Sequence, residues 1–152
     1  MSKFTVDNNE LMIELKKYVD SCEFKWAQTK KGKWRKKIKK RGKISEKLGG
    51  MIKAIVNGLA SSGNWRGYTW KDDFVSQGIL TVLLYVHNFD VNNAKTNAHG
   101  YVTMIANRAF MQYIKKEKTH SSTKQILYDF KDHFNSDMYG RNNIDYQDIK
   151  TK

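Results

Sequence analysis

Apolar residues recur at helical spacing in the stretch from Tyr101 to Lys118, which reads YVTMIANRAFMQYIKKEK. The stripe consists of Val102, Ile105, Ala106, Ala109, Phe110 and Tyr113. Spacings of three and four residues place such side chains on one side of an α-helix, where they can be buried together. The stretch therefore predicts an amphipathic helix whose apolar side packs against a core.

Four further segments have the same helical pattern, and the chain has no proline to interrupt them. Together the five segments predict helices over about 9–22, 45–60, 70–88 and 98–118, and a short one with Ile126, Leu127, Phe130 and Phe134 on its apolar side. Asn97 is suited to cap the helix that begins at residue 98, and the hydroxyl-rich segment from Thr119 to Thr123 predicts a break after it. We therefore predict an all-α fold, a small helical bundle of about five helices with a basic flexible arm.

The basic arm is the segment 30–43, which has ten cations in fourteen positions and no acid. Such a run repels itself and cannot bury a core, so we predict that it is mobile. It either contacts nucleic acid, because clustered cations concentrate positive potential, or it serves as a solubilising linker. The candidate contact residues are Lys33, Arg35, Lys36, Lys37, Lys39, Lys40 and Arg41.

The predicted organisation has four parts. They are an N-terminal helix in 1–29, a basic arm or linker in 30–44, a helical core in 45–120, and a short helix with a polar tail in 121–152. Between the second and third predicted helices, Trp65, Tyr68 and Trp70 either fill the core or stack on bases.

The charge balance favours a polyanionic partner. Lys and Arg number 28 against 15 Asp and Glu, which gives a net charge of +13. On the helix 98–118, Arg108, Gln112, Lys115 and Lys116 lie away from the apolar stripe, and such a surface of cations and an amide suits phosphates and base edges. The alternative is the ordinary solvated side of an amphipathic helix.

No motif in the sequence supports catalysis or cofactor binding. Cys22 is the only cysteine, and the four histidines lack the spacing of metal ligands. There is no phosphate-binding glycine loop and no supported Ser/His/Asp grouping. No apolar run approaches the ~20 residues that span a bilayer, and the first residues lack the apolar core of a signal peptide. We therefore predict a soluble intracellular protein that is not an enzyme and binds no cofactor, metal or membrane.

The segment from Asp73 to Asp90, DFVSQGILTVLLYVHNFD, is similar to DLIQEGNIGLMKAVDKFE in region 2 of the bacterial sigma-70 family. Asp73, Gly78, Val86 and Phe89 are identical, and Asp90 keeps the acid that closes the motif. The later segments AHGYVT and AFMQYIKKEK resemble HAYIT and AFVQRIKKER of the late-transcription sigma factors of T-even-type phages. The resemblance covers roughly residues 8–120 and is most specific in 67–118.

This resemblance implies a role in transcription initiation in the cytoplasm of an infected bacterium. The helix around 73–84 would dock on the clamp-helix coiled coil in the largest subunit of the RNA polymerase core. The residues at the contact positions are Asp73, Ser76, Gln77, Ile79 and Leu83, of which Ser76, Gln77 and Ile79 differ from the family.

The helix 98–118 would recognise and open the minus-ten element of AT-rich late promoters. The corresponding DNA-binding positions are Tyr101, Met104, Ile105, Arg108, Met111, Gln112, Lys115 and Lys116. Tyr101 stands where the family has an aromatic wall for a flipped adenine. Met104 and Ile105 replace the family's pair of tryptophans, which leaves a wedge with less stacking area.

The resemblance implies two further partners, a late co-activator and a replication sliding clamp. The phage relatives bind the clamp through a short C-terminal motif, and residues 143–149 of this chain are loosely similar to that motif. Three other functions remain open from the residues alone. The chain is alternatively a helical sequence-specific DNA-binding repressor, a sigma-mimicking inhibitor of the polymerase, or a structure-selective nuclease.

Overall fold

The computed structural model describes residues 6–93 and 97–140, with side chains up to residue 133. Helix α1 spans Asn8–Asp20, and a β-hairpin follows with strands β1, Glu23–Gln28, and β2, Trp34–Lys40. Helix α2 spans Glu46–Ala60, α3 spans Lys71–Tyr85, a short 3₁₀ helix spans Val86–Asn88, and α4 spans Ala98–Gly140. The predicted tail beyond residue 140, with the clamp-motif segment 143–149, lies outside the described residues, as does the Phe134 side chain.

The chain divides into two compact units, residues 1–113 and 114–152. In the first unit, α2 packs against both α1 and α3. Its core includes Leu48, Ile52 and Val56 of α2 and most of the predicted apolar stripe of α4, with Val102, Ala106 and Phe110 fully buried. Phe74, Trp65 and Phe110 form an aromatic cluster in which the ring centroids of Phe74 and Phe110 are 4.7 Å apart. Trp65 is therefore a core residue rather than a base-stacking one.

The start of α2 is tied to α1 through two side chains. Ser45 accepts a hydrogen bond from the Leu48 backbone N–H at 3.1 Å, which satisfies one of the free donors in the first turn. The same hydroxyl donates to Glu14 Oε2 of α1 at 3.0 Å. The other oxygen of Glu14 accepts from Lys17 Nζ at 2.9 Å. Both hydrogen bonds hold the pKa of the Glu14 carboxyl below its ordinary value, Lys17 contributing most.

The prediction of an all-α fold is wrong, because the described chain also contains a two-stranded antiparallel sheet. Most of the segment predicted as a flexible arm forms β2 and the turn before it. A strand is possible here because pairing with β1 satisfies backbone groups while the cations alternate between the two sides of the ribbon. Lys39 pairs with Glu23 at 3.6 Å, and Lys36 Nζ lies 4.0 Å from the Phe24 ring centroid.

The hairpin turn has its own structural cause. Thr29 N donates to the Lys33 carbonyl, and Gly32 N donates to the Thr29 carbonyl, both at 2.8 Å. Gly32 has a φ of 76°, in the left-handed region that glycine adopts without steric cost. This is the pattern of a tight turn followed by a glycine bulge, and it sets the register of the two strands.

The prediction of a break at residues 119–123 and a separate fifth helix is also wrong, because α4 continues without interruption through these residues. The hydroxyls there donate to carbonyls of the preceding turn and so remain compatible with a helix: Thr119 to Lys115, Ser122 to Lys118 and Thr123 to Thr119. In the second unit, the apolar side chains of Ile126, Leu127 and Phe130 are exposed. No helix within the described ranges is both long enough and apolar enough to cross a membrane.

Candidate nucleic-acid interface

The first turn of α4 is held in place by two asparagine side chains. Asn97 Oδ1 accepts from the Gly100 backbone N–H at 3.1 Å, which confirms the predicted cap. Asn8 Oδ1, at the start of α1, accepts from the His99 backbone N–H at 3.1 Å. These bonds fix the part of α4 that carries Tyr101 relative to the rest of the first unit.

Tyr101 lies between solvent and the C-terminal end of α3. Its hydroxyl donates to the Tyr85 carbonyl at 3.3 Å, and its ring centroid is 5.1 Å from that of Phe89 with an interplanar angle of 58°. Partial burial raises the pKa of the Tyr101 phenol above its ordinary value, so the group is a neutral donor at physiological pH. One part of the ring remains exposed for stacking.

The exposed part of Tyr101 faces a pocket with a volume of about 350 Å³ in the first unit. The wall on α4 consists of Tyr101, Met104, Ile105, Arg108, Ala109 and Gln112. These residues recur every three or four positions, so they share one side of the helix. The pocket is near the lower end of the range of about 300–1,000 Å³ that is typical of small-molecule sites.

The opposite wall comes from Thr81 and Tyr85 of α3 and from Asn88, none of which the sequence analysis selected. Thr81 has its hydroxyl bonded to the Gln77 carbonyl at 2.7 Å. Tyr85 is exposed and supplies a second aromatic ring. The pocket thus combines two phenols, a thioether, a guanidinium and two amides, which are groups that contact the face and the edge of a nucleobase.

The predicted wedge residues differ in exposure. Met104 is 40% exposed and lines the pocket. Ile105 also lines the pocket, but most of its side chain is buried in the core. Only Met104 therefore projects far enough to contact a base step directly. The structure brings Arg108 and Gln112 to the same pocket, while Met111 is exposed but is not part of its lining. Lys115 and Lys116 are exposed on α4 in the second unit.

The predicted polymerase-binding residues lie on α3. Asp73, Ser76 and Gln77 are exposed, and Ile79 and Leu83 are half-buried. Leu80, which the sequence analysis did not select, is 51% exposed and lies seven residues after Asp73 on the same side of the helix. In the structure Phe74, Gly78 and Val82 take the core positions of α3, which leaves Leu80 outside.

The predicted basic residues lie on β2 and at its two ends. Arg41, just after β2, donates from Nη2 to the Leu84 carbonyl of α3 at 3.4 Å. Phe24 of β1 lies beside the buried His87, with ring centroids 6.3 Å apart. Burial, reinforced by the nearby Arg41, lowers the pKa of His87 and keeps its imidazole neutral. The base of the hairpin is thus attached to the C-terminal end of α3.

Within the described ranges, no three His, Cys, Asp or Glu side chains come together as a site for a metal ion. The side chains that line the Tyr101 pocket can stack, form hydrogen bonds and supply a positive charge. No family model and no curated protein matches the sequence.

Proposed function

We propose that this chain is a sigma-type initiation factor for phage late transcription, which acts in the cytoplasm of the infected host. In this proposal, α3 binds the clamp-helix coiled coil of a bacterial RNA polymerase core. The Tyr101 pocket accepts a base from a minus-ten-type AT-rich promoter as the duplex opens. The observation that carries the proposal is this pocket, with an aromatic wall, an exposed Met104 and the Arg108 guanidinium.

The energetics of base flipping support this use of the pocket. Extruding a base from a duplex costs a few kcal/mol, and the cost is lowest where the duplex is weakest. Stacking on an aromatic side chain returns about 1–3 kcal/mol, and each phosphate contact by a cation adds the free energy of counterion release. Tyr101 supplies the ring and Arg108 supplies a cation that lines the same pocket.

The arrangement of α3 supports the second half of the proposal. Its first turns carry an exposed polar surface around Asp73, and its last turn supplies Tyr85 to the pocket. One rigid helix thus connects the surface proposed for the polymerase with the pocket proposed for the base. A polymerase bound at the first site would hold the promoter at the second.

A run-off transcription assay tests the proposal. Purified protein is mixed with a sigma-free bacterial core polymerase and a linear template that has an AT-rich late promoter. Transcripts of defined length should appear only when protein and core are both present. Failure of the protein to associate with the core, measured by size-exclusion chromatography, contradicts the proposal.

The same reagents separate the competing functions. A repressor binds its duplex specifically without the core. An inhibitor binds the core, supports no transcript, and reduces transcription by a resident sigma factor. A nuclease shortens the template when a divalent metal ion is added. A sigma factor instead binds the core first and forms an open promoter complex with it.

A further inference from the structure

The hairpin formed by β1 and β2 presents an aromatic surface that the proposed function does not use. Phe24, Trp26 and Gln28 on β1 lie opposite Ile38, Lys36 and Trp34 on β2, so these six side chains share one side of the ribbon. Phe24 and Ile38 are half-buried at the base of the hairpin. Toward the tip, Trp26 is 68% exposed and Trp34 is 64% exposed.

Trp26 and Trp34 occupy neighbouring positions on this side of the ribbon. Trp26 is opposite Lys36, and Trp34 is two residues before Lys36, so the indoles are diagonal partners across the strands. Diagonal positions are about 7–8 Å apart, within reach of large aromatic side chains. Two large exposed apolar rings on one side of the ribbon form a patch typical of a surface that binds a partner.

The charge of the hairpin identifies the kind of partner. Residues 23–40 contain one acid, Glu23, and nine cations. The cations are Lys25, Lys30, Lys31, Lys33, Arg35, Lys36, Lys37, Lys39 and Lys40. Within the described residues, the one ion pair formed by these cations is that of Lys39 with Glu23. Of these cations, Lys36 lies on the same side of the ribbon as the two indoles, directly opposite Trp26, whereas Lys25 and Lys37 lie opposite each other on the other side.

We propose that the hairpin is a binding site for single-stranded DNA, with unpaired bases stacked on Trp26 and Trp34 and phosphates bound by the surrounding lysines. An unpaired strand fits both features, because it exposes base faces as well as phosphates. An intact duplex offers phosphates and base edges but hides the base faces, so it leaves the indoles unused.

A groove of about 380 Å³ extends from the hairpin toward the Tyr101 pocket. Ile38 and Arg41 line it on one side, and Tyr85 and Asn88, which also line the Tyr101 pocket, line it on the other. The groove and the pocket are therefore adjacent, and a strand that leaves the pocket would follow a short path past Tyr85 and Asn88 to the hairpin. This path extends the proposed function, whereas the binding site on the hairpin does not depend on it.

The test measures binding of the protein alone to a fluorescent oligothymidylate by anisotropy, with a blunt duplex of the same length in parallel. In the double variant Trp26→Ala/Trp34→Ala, affinity for the single strand should fall about tenfold or more, because each lost stack weakens binding. The salt dependence should stay the same, since no charge is removed. The double variant Trp26→Phe/Trp34→Phe should retain most of the affinity.

Two controls accompany this measurement. Phe130→Ala removes another aromatic ring that is 70% exposed and should leave affinity unchanged. Lys36→Gln, on the same side of the ribbon as the indoles, should instead reduce the salt slope, because a phosphate contact is lost while the indoles remain. Circular dichroism should show the same helical content for every variant, since the replaced side chains are exposed.

Several results would overturn the inference. One is an unchanged affinity of Trp26→Ala/Trp34→Ala for the single strand. Another is a loss of affinity for the duplex as large as the loss for the single strand. Loss of binding to phosphatidylserine vesicles, or of self-association, with unchanged DNA affinity would assign the indoles to a membrane or to a second copy. The assay contains no polymerase. Its failure therefore leaves the run-off result standing, and failure of run-off transcription leaves this site standing.

Discussion

Gly78 of α3 lies directly against the ring of Phe110 of α4. A Cβ atom at Gly78 would be 3.1 Å from Phe110 Cδ1 and closer still to Cε1, and it would be 3.3 Å from Val56 Cγ1. Trp65 and Phe74 pack against the Phe110 ring at centroid distances of 5.3 and 4.7 Å, which limits how far the ring can move aside. The close approach of α3 and α4, and with it the Tyr101 pocket, depends on the missing side chain.

The variant Gly78→Ala should therefore be less stable than the parent protein. Overpacking of a core costs about 1–3 kcal/mol, which outweighs the gain of up to about 1 kcal/mol in helix propensity. Denaturant unfolding followed by circular dichroism measures the difference. Gly50→Ala is the matched control, because that glycine of α2 has nothing within 4 Å of its Cβ position. The free energy of unfolding should be higher for Gly50→Ala than for the parent protein. If it were also higher for Gly78→Ala, the close contact between Gly78 and Phe110 would be contradicted.

Stability should fall in acid partly through Glu14. Its pKa is lowered in the folded state by the hydrogen bonds from Lys17 and Ser45. A carboxyl with a lowered folded pKa stabilises the fold above its unfolded pKa, and this contribution is lost as the pH falls through the folded pKa. Glu14→Gln should thus be less stable than the parent at pH 7, and the difference should shrink toward pH 3.

Urea unfolding at several pH values measures this effect. Ser45→Ala is an informative companion, because it removes one of the two donors and the cap of α2, at a cost of about 0.5–2 kcal/mol. The pH dependence of its unfolding free energy should lie between those of the parent protein and of Glu14→Gln. A stability difference for Glu14→Gln that stays constant from pH 7 to pH 3 would show that the carboxylate charge plays no part.

Much of the helical core was predictable from periodicity. Leu48, Ile52 and Val56 of α2 are all buried as their spacing predicts, because one helix presents them to one core. The α4 residues that line the Tyr101 pocket were also predictable, because helical spacing places them on one side of the helix. Thr81 and Tyr85 on the other side were not predictable, since their position depends on how α3 crosses α4, which no local pattern encodes.

The hairpin was missed for a different reason. Lysine is a poor strand former, and the only apolar residues of β2, Trp34 and Ile38, are four positions apart, a spacing that fits a helix as well as a strand. The better signal was the combination of Gly32 with Phe24 and Trp26 before it and Trp34 and Ile38 after it. The break expected at 119–123 failed because hydroxyls can bond to the preceding helical turn as well as end a helix.

Reversal of charge at Asp73 should strongly weaken binding to the polymerase core. The carboxylate is exposed in the first turn of α3, at the centre of the polar surface proposed for the clamp helices. Losing one partner of an interfacial charge pair costs about 2–5 kcal/mol, so affinity for the core should fall at least about thirtyfold in Asp73→Arg. Biolayer interferometry with immobilised core measures the change.

Glu46→Arg is the matched control for Asp73→Arg. It reverses another exposed acid in the first turn of a helix, on α2, and changes the net charge by the same amount. Both variants should melt within a few degrees of the parent protein. Equal losses of core affinity in the two variants would indicate a general electrostatic effect and would remove α3 as the specific docking surface.

Removal of the Tyr101 ring should impair promoter opening while core binding remains. Tyr101→Ala loses a stack worth about 1–3 kcal/mol, so the fraction of open complex should fall by about tenfold. Tyr101→Phe keeps the ring and loses the hydrogen bond to the Tyr85 carbonyl, so it should open the promoter nearly as well as the parent. Permanganate reactivity of unpaired thymines in complexes with the core measures opening.

Tyr128→Ala is the control for Tyr101→Ala. It removes an exposed phenol elsewhere on α4 and should have no effect on promoter opening. If Tyr101→Phe were as defective as Tyr101→Ala, the hydroxyl bond to α3 would be the important feature, and Tyr101 would shape the pocket without stacking on a base.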